Sequence, residues 1–305
     1  MVPSHKRKRW LGVLLSAIGL LLVWYFKLPA LGYYWVATTW NAAQWQGKSL
    51  WLPAYRVTLE AQPIRGLTRN ASGLSFNNRT GTLFTVINRP PQLAELTTDG
   101  RLLRKIDLDG VRDPEGIAHV RDDTYVIADE HSHAMYWVQI GADTTRVSTA
   151  GSPSLRLSID AAHNSSFEGV SWDSERNRLF VVKEKRPLRV LVISGLDSLQ
   201  RPGAFRVDIS EWKSSGAASL FLSDLSSLTL HEPTGHLLLL SDESALAVEY
   251  APDGRPVSML PLWRGLHGLQ RKIPQPEGLA VGPDGAIYVL SEPNLFYRFE
   301  QVRPR

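Results

Sequence analysis

The sequence of 305 residues contains no cysteine. This absence excludes a disulfide-stabilised scaffold, a catalytic thiolate, and any zinc or iron–sulfur site built on cysteine ligands. The sequence also lacks the G-x-S-x-G, H-E-x-x-H, P-loop and G-x-G-x-x-G motifs. Serine hydrolase, zinc protease and nucleotide-dependent chemistry therefore have no local sequence support.

Acidic residues are missing from the first 27 positions, which contain five lysines and arginines. The formal net charge of the chain is +4, and the remainder has 29 basic and 30 acidic residues. The basic character therefore belongs largely to the N-terminus. Because a body with balanced charge has no broad attraction for phosphate backbones, we expect no nucleic-acid partner.

Charge is also absent from Trp10 to Phe26, an apolar run that follows the basic residues Lys6–Arg9. As a helix this run would be about 25 Å long, near the short end for crossing a bilayer. Aromatic residues stand at both of its ends, and the positive-inside rule keeps the basic residues cytoplasmic. We therefore predict a single-pass membrane anchor, with the rest of the chain on the far side of the membrane from the cytoplasm. A cleaved signal peptide ending near Ala30-Leu31-Gly32 is the alternative.

Long amphipathic helices are missing from about residue 55 onward. Five segments instead repeat one pattern: a strand, a tight turn, a second strand that ends in a polar and usually acidic residue, and a third strand. The anchor residues of the five inner strands are Leu74, Ile117, Val170, Leu228 and Leu279. Their spacing, near 50 residues, together with three or four antiparallel strands per unit, is typical of β-propeller blades.

The number of repeats predicts an all-β, five-bladed propeller. The fifth unit has only three strands before the chain ends, and Arg56–Leu59 precedes the first unit. Pairing the two chain ends would supply the missing outer strand and remove exposed sheet edges. A sixth, irregular blade between residues 196 and 224 is the alternative. The predicted divisions are a basic cytoplasmic tail over 1–9, a transmembrane anchor over 10–28, a linker over 29–54 and the propeller over 55–305.

The repeated acids predict a metal site. In a propeller, the start of an inner strand and the end of the second strand reach the same mouth of the channel, where crowded carboxylates repel one another. A divalent cation with oxygen ligands relieves this repulsion, and calcium, with its variable geometry, fits better than magnesium. The residues expected to bind it are Glu115, Glu168 and Glu277, which begin inner strands, and Glu130, Glu184, Glu243 and Glu292, which end second strands.

The alternative to a calcium site is an acidic rim that binds no metal. In that interpretation the acids cap turns or pair with Lys183, Lys185, Arg186 or Arg298, and the glycine of each Glu-Gly pair only permits crowding near the axis.

At these residues the sequence resembles the SdiA-regulated (YjiK-like) family of bacterial envelope proteins. The likeness covers about residues 55 to 300. It rests on the stretches Gly81–Asn88, Phe167–Val170, Lys183–Lys185, Ser291–Asn294 and Phe296–Phe299. The resemblance implies a five-bladed propeller with a calcium site, distantly related to NHL-type propellers. Together with the predicted anchor, it implies a place in the bacterial inner membrane with the propeller in the periplasm. Because Asp242 stands where a more variable residue is expected, Glu243 is taken as the matching acid. The family supplies no enzymatic activity to carry over.

Two functions are compatible with these features. The first is a non-catalytic, membrane-tethered module that binds a small molecule, a glycan or a protein in the envelope. The alternative is a calcium-dependent hydrolase of the lactonase, phosphotriesterase or phytase type, in which the metal activates water. In that case Arg89, Lys183, Lys185 and Arg186 would receive an anion, and His131 or His133 would act as base or ligand. No catalytic residue can be named from the sequence.

Overall fold

The strands form five sheets of four or five strands each. The computed structural model describes residues 4–25, 32, 35–36, 38–157, 167–184, 187–196, 206–214 and 222–302. The helices are α1 (Ser4–Tyr25), α2 (Ala42–Trp45) and a short 3-10 helix (Leu52–Ala54). The strands, in chain order, are β1 (Tyr55–Pro63), β2 (Ala71–Asn77), β3 (Thr82–Asn88), β4 (Pro91–Leu96), β5 (Leu102–Asp109), β6 (Pro114–Arg121), β7 (Thr124–Asp129), β8 (Ala134–Gln139), β9 (Arg146–Ser148), β10 (Ser154–Arg156), β11 (Phe167–Asp173), β12 (Arg178–Lys183), β13 (Arg189–Ser194), β14 (Asp208–Trp212), β15 (Ser227–His231), β16 (His236–Ser241), β17 (Leu246–Tyr250), β18 (Pro256–Pro261), β19 (Pro276–Val281), β20 (Ile287–Ser291) and β21 (Leu295–Gln301).

Each sheet is one blade, and each blade starts with its inner strand. The blades comprise β2–β5, then β6, β7, β8 and β10, then β11–β14, then β15–β18, and finally β19, β20, β21 and β1. The short strand β9 adds to the first blade through parallel pairing with β5. The inner strands contact one another in a closed circle, β2 to β6, β11, β15, β19 and back to β2. The five-bladed propeller predicted from the repeat is therefore confirmed.

The ring is closed by the two ends of the propeller chain. Strand β1 pairs antiparallel with β21, with Tyr55 opposite Gln301 and Val57 opposite Phe299. The N-terminal strand thus completes the last blade, as the sequence predicts, and covers an edge that would otherwise expose unpaired peptide groups. The alternative of a sixth blade between residues 196 and 224 is wrong for the residues of this range that the structure describes. There, β14 pairs with β13 as the outer strand of the third blade.

The hydrophobic core is divided among the interfaces between blades. Five clusters of buried side chains each combine residues from two neighbouring blades. Because a blade is covered on both faces, its second strand is buried at nearly every position. Strands β7 and β16 have no exposed residue, for example. This explains why the second strands read as continuous apolar runs rather than as alternating patterns.

A helix, α1, lies where the sequence predicts the membrane anchor. Within the described part of the chain, however, no helix has both the length and the apolar character needed to cross a membrane. The predicted transmembrane helix is therefore not supported.

The end of the predicted linker is fixed to the fourth blade. Glu249, which is fully buried, accepts hydrogen bonds from the backbone N–H groups of Leu50 (3.0 Å) and Trp51 (3.3 Å). The hydroxyl of Ser258 donates to the same carboxylate (2.6 Å), and His236 Nδ1 lies 2.8 Å from it. The segment that leads into β1 is therefore bound to the propeller through one buried acid.

Candidate metal centre

The inner strands begin at the same end of the channel, where glycine lets them pack closely. A Cβ atom on Gly116 would lie 2.4 Å from the backbone oxygen of Glu168. The Ser72 hydroxyl donates to the backbone oxygen of Glu115 at 3.0 Å and joins the first two blades at this level. The crowding role considered for the Glu-Gly pairs is therefore confirmed at Gly116. It brings successive glutamates to one opening, which we call the acidic mouth. Its acids are Asp113, Glu115, Glu130, Glu168, Glu184, Asp224, Asp242, Glu243, Glu277 and Glu292.

The three glutamates of the Glu-Gly pairs have strongly raised pKa values. Burial, above all, raises the pKa of Glu115 to about 7 and that of Glu277 to about 9. Burial also raises the pKa of Glu168 well above its ordinary value, and the charges of Glu184, Glu115 and Glu277 add to this effect. Glu168 and Glu277 are thus affected by carboxylates on other blades, whereas the charges that raise the pKa of Glu115 are those of Asp113 and Glu130 in its own blade. Ionising all of them together costs free energy unless a positive charge lies among them.

The tightest group of acids lies between the first two blades. Carboxylate oxygens of Asp113, Glu115 and Glu130 all fall within 4.8 Å of one another. Asn88, at the end of β3, donates from Nδ2 to Glu115 Oε1 at 2.8 Å. Asn88 Oδ1 and Asp113 Oδ1 are both buried without a hydrogen-bond partner among the described residues. Buried oxygens rarely lack a partner, so these two atoms indicate a missing electropositive ligand.

A second group of acids lies across the mouth. After burial, the charge of Asp242 is the largest influence that raises the pKa of Glu277 and of Glu292. Burial also raises the pKa of Asp242 itself, whereas Lys272 acts in the opposite direction. Sequence reasoning favoured Glu243 over Asp242. In the structure, Glu243 is the acid whose charge most raises the pKa of Asp224, and Asp242 is the one that influences Glu277 and Glu292.

Two buried aspartates hold the loops that carry these acids. Asp129, at the end of β7, accepts from the backbone N–H groups of Arg112 (3.1 Å) and Asp113 (2.8 Å). Asp224 accepts from the backbone N–H groups of Asp242 and Glu243, each at 3.1 Å. Their carboxylates are therefore used mainly to position the neighbouring loops.

The basic residues considered as salt-bridge partners are only partly placed at the mouth. Arg298 pairs with Glu300 (2.8 Å) and Asp284 (3.7 Å), and Arg89 lies 3.7 Å from Asp113. Lys183 is buried at the end of β12. Lys185 and Arg186 lie outside the described residues.

The two loop histidines are not in the tightest acidic group. His131 Nε2 lies 3.1 Å from a guanidinium nitrogen of Arg112. The ring of His133 packs edge-on against Phe167, and its Nδ1 is buried with no hydrogen-bond partner in the part of the chain that the structure describes. In the described part of the chain, neither ring belongs to the group formed by Asp113, Glu115 and Glu130.

Sequence reasoning missed Asp113, and it expected Asp242 and Asn88 near the mouth without including them among the ligands. Asp113 lies two positions before Glu115, and this offset from an inner-strand glutamate was the available signal. Asn88 was seen only as the first blade's polar residue, and nothing in the sequence indicated an unpartnered oxygen. The relative placement of Asp242 and Glu243 depends on how the turn after β16 folds onto Asp224.

Comparison with known proteins relates this chain to one family and to other propeller-like folds. A family model described as SdiA-regulated matches residues 47–300. A luciferin-regenerating enzyme of known structure superposes with a TM-score of 0.53 at 11% identity, over 80% of this chain and 95% of that chain. A chain of a nidogen/laminin complex superposes with a TM-score of 0.47 at 15% identity, over 78% of this chain and 84% of that chain. At 11% identity the likeness to the luciferin-regenerating enzyme concerns the fold alone. The TM-score of 0.47 for the nidogen/laminin chain is too low to support a conclusion.

Proposed function

Since the chain belongs to the SdiA-regulated family, as its motifs indicated, we propose that its propeller is a non-catalytic binding module of the cell envelope whose acidic mouth holds a calcium ion. The observation that carries the metal proposal is the combination of crowded acids with two buried, unpartnered oxygens, Asn88 Oδ1 and Asp113 Oδ1.

The acidic mouth favours a divalent cation on electrostatic grounds. Burial places Glu115, Glu168 and Glu277 in surroundings that disfavour their charged forms, and mutual repulsion adds to this. A cation reverses both effects, because each ionised carboxylate then has an opposite charge beside it. The raised pKa values thus describe the metal-free state, and binding of the metal should release protons.

The ligand set suits calcium. Calcium binds six to eight oxygens at about 2.3–2.6 Å, so two oxygens on opposite sides of one ion lie about 5 Å apart. The carboxylates of Asp113, Glu115 and Glu130 fall within this span. The amide oxygen of Asn88 is a neutral ligand of the same hard type, and no cysteine competes for softer metals. We take these four residues as the primary ligands, with Glu168, whose pKa the charge of Glu115 helps to raise, as a further candidate from the third blade.

Calorimetric titration of calcium into the chelator-treated full chain in maltoside micelles tests this proposal, with magnesium as the control ion. We expect saturable calcium binding, weaker magnesium binding and proton release that grows as the pH is lowered from 8 to 6. Glu115→Gln should weaken calcium binding by at least about tenfold, since it removes one charged ligand. The same substitution at Glu232, at the opposite end of the channel, is the matched control. Absence of saturable binding in the wild-type chain would overturn the proposal.

The hydrolase alternative requires a base or an anion-binding residue beside the metal. His131 lies against Arg112, and Arg89 is the described basic side chain that approaches Asp113. The described side-chain contacts of Asp113 with Arg89 and of Glu115 with Asn88 bring no general base to these two acids. A screen of lactones and phosphoesters with the calcium-loaded chain tests the alternative. Turnover that chelator abolishes would favour a hydrolase.

We place the module at a membrane through α1. The support is the exposure of its apolar side chains, such as Trp10 (73%) and Leu20 (71%), together with the basic residues that precede them. Apolar surface of this kind on a soluble protein is normally covered by lipid or by a partner. Extraction of cell membranes with alkaline carbonate distinguishes an integral from a peripheral attachment. Protease treatment of spheroplasts tests whether the propeller is periplasmic.

A further inference from the structure

The channel has a second mouth at the end opposite the acids. There the inner strands of all five blades reach their last residues around a cavity of about 630 Å³. The walls include Phe76 from the first blade, His119 from the second, Trp172 from the third and His231 from the fourth. A volume of this size is within the range of pockets that bind small organic molecules.

The wall of the second mouth is held by bonds between neighbouring inner strands. The Ser75 hydroxyl accepts from the backbone N–H of His119 at 2.8 Å, and the Ser171 hydroxyl accepts from Leu230 N–H at 3.0 Å. The first bond joins blades one and two, and the second joins blades three and four. Phe76 is further braced by stacking on Tyr288, with ring centroids 6.1 Å apart. The aromatic side chains therefore stand on a preformed frame.

The lining combines aromatic rings with negative charge. Two carboxylates, Glu175 and Glu232, line the cavity, and no lysine or arginine does so among the described residues. Glu232 accepts from Ser174 N–H at 2.8 Å and has no ion-pair partner in the described part of the chain. Burial lowers the pKa of both His119 and His231, so both imidazoles are uncharged near neutral pH. Glu175 lies 3.6 Å from a guanidinium nitrogen of Arg176, so the negative charge that the described part of the site presents without a counter-ion is that of Glu232, beside the π faces.

The second mouth is separate from the acidic mouth. Glu168 and Trp172 stand near opposite ends of β11, and four residues of extended strand span about 13 Å. One small ligand cannot contact both openings. Calcium at the acidic mouth would therefore leave the second mouth accessible.

We propose that the second mouth is a binding site for a small organic cation of the quaternary-ammonium type, held by the faces of Trp172 and Phe76 and by the carboxylate of Glu232. Aromatic faces attract such cations through their negative π density, and carboxylates without a counter-ion add charge complementarity. A weakly hydrated ammonium group also loses little solvation when it enters a half-buried, partly apolar cavity.

Calorimetric titration of the full chain with choline tests the proposal, in the presence of saturating calcium and uncharged maltoside micelles. The matched probe is 3,3-dimethylbutan-1-ol, which has the same shape without the charge. Choline should bind saturably and the alcohol at least about tenfold more weakly, after subtraction of a micelle-only titration. Equal affinity for the two probes, or no binding of choline, would overturn the proposal.

Variants locate the site. Trp172→Leu and Glu232→Gln should each weaken choline binding by roughly fivefold or more, with thermal unfolding curves checking that both variants fold. Gln at position 232 retains an oxygen for the N–H of Ser174, which makes it the more conservative change. Glu277→Gln, in the acidic mouth, should leave choline affinity within twofold of the wild type. Loss of choline binding in Glu277→Gln but not in Glu232→Gln would place the cation at the acidic mouth and refute the assignment.

Discussion

Replacing Glu277 by glutamine should have opposite effects on the metal-free and the calcium-bound protein. Burial, followed by the charges of Asp242, Glu115 and Glu292, raises the pKa of Glu277 from 4.5 to about 9. A raised carboxyl pKa means that the folded state holds the proton more tightly than the unfolded chain. The contribution of Glu277 to the stability of the metal-free fold is therefore most favourable below pH 4.5 and becomes less favourable as the pH rises towards 9.

The magnitude follows from this difference in pKa. Each pKa unit corresponds to about 1.4 kcal/mol, so Glu277 disfavours the metal-free fold by on the order of 3 kcal/mol at pH 7 and 6 kcal/mol at pH 9. Glutamine removes this cost because it cannot ionise. The metal-free Glu277→Gln variant should therefore melt above the wild type at pH 7, by up to roughly 10 °C for a domain of this size. At pH 4 the two proteins should melt together.

Calcium should reverse the order of stability. At 100 times its dissociation constant, a ligand stabilises the wild type by about 2.7 kcal/mol, and a variant without one of the mouth's charges should gain much less. Thermal unfolding followed by circular dichroism, with and without calcium at pH 4, 7 and 9, measures both effects. Glu232→Gln is the control. A metal-free Glu277→Gln variant that melts at or below the wild type at pH 7 would refute the burial argument. If calcium raises the melting temperature of Glu277→Gln as much as that of the wild type, Glu277 does not lie near the metal.

Three further predictions follow from single contacts. Glu249→Ala should destabilise the fold by about 3–5 kcal/mol, because it leaves buried donors unpaired, and should speed tryptic cleavage after Lys48. Denaturant unfolding and limited proteolysis measure these two effects. An unchanged cleavage rate would argue against the binding of the linker by Glu249. Gly116→Ala should cost about 1–3 kcal/mol, since its Cβ would lie 2.4 Å from the backbone oxygen of Glu168; an unaltered unfolding midpoint would contradict this. Asn88→Leu should weaken calcium binding by at least about tenfold in calorimetry, and wild-type affinity would show that its oxygen is not a ligand.

Much of the fold was available in the sequence because each blade is a local structure. The five strand–turn–strand units are hairpins whose partners lie within about 20 residues, so apolar runs and turn dipeptides indicate them directly. The pairing of β1 with β21 could also be predicted, since five units with one strand missing leave one way to close the ring. The N-terminal helix shows the limit of such reasoning. The hydropathy pattern predicted a membrane-crossing helix, and the described part of the structure does not support one.

The candidate metal centre was only partly predictable. The start of an inner strand and the end of its partner must meet in an antiparallel hairpin, so Glu115 and Glu130 could be placed together from their positions alone. Asp113 and Asp242 lie in connections outside the strands, where the repeat gives no register. Their positions depend on the backbone hydrogen bonds that Asp129 and Asp224 accept.

The sequence by itself determined the repeat and the end of the channel at which the acids gather, because these depend on strand period and hairpin geometry, whereas the choice between five and six blades came from the pairing of β14 with β13. Only the tertiary structure decided which acids share a cluster, that Glu249 binds a segment 199 positions away, and that Phe76, His119 and Trp172 border one cavity. The physical reason is that contacts between blades join residues about one repeat apart or more. Such contacts arise from packing around the axis, and no local pattern in the chain records them.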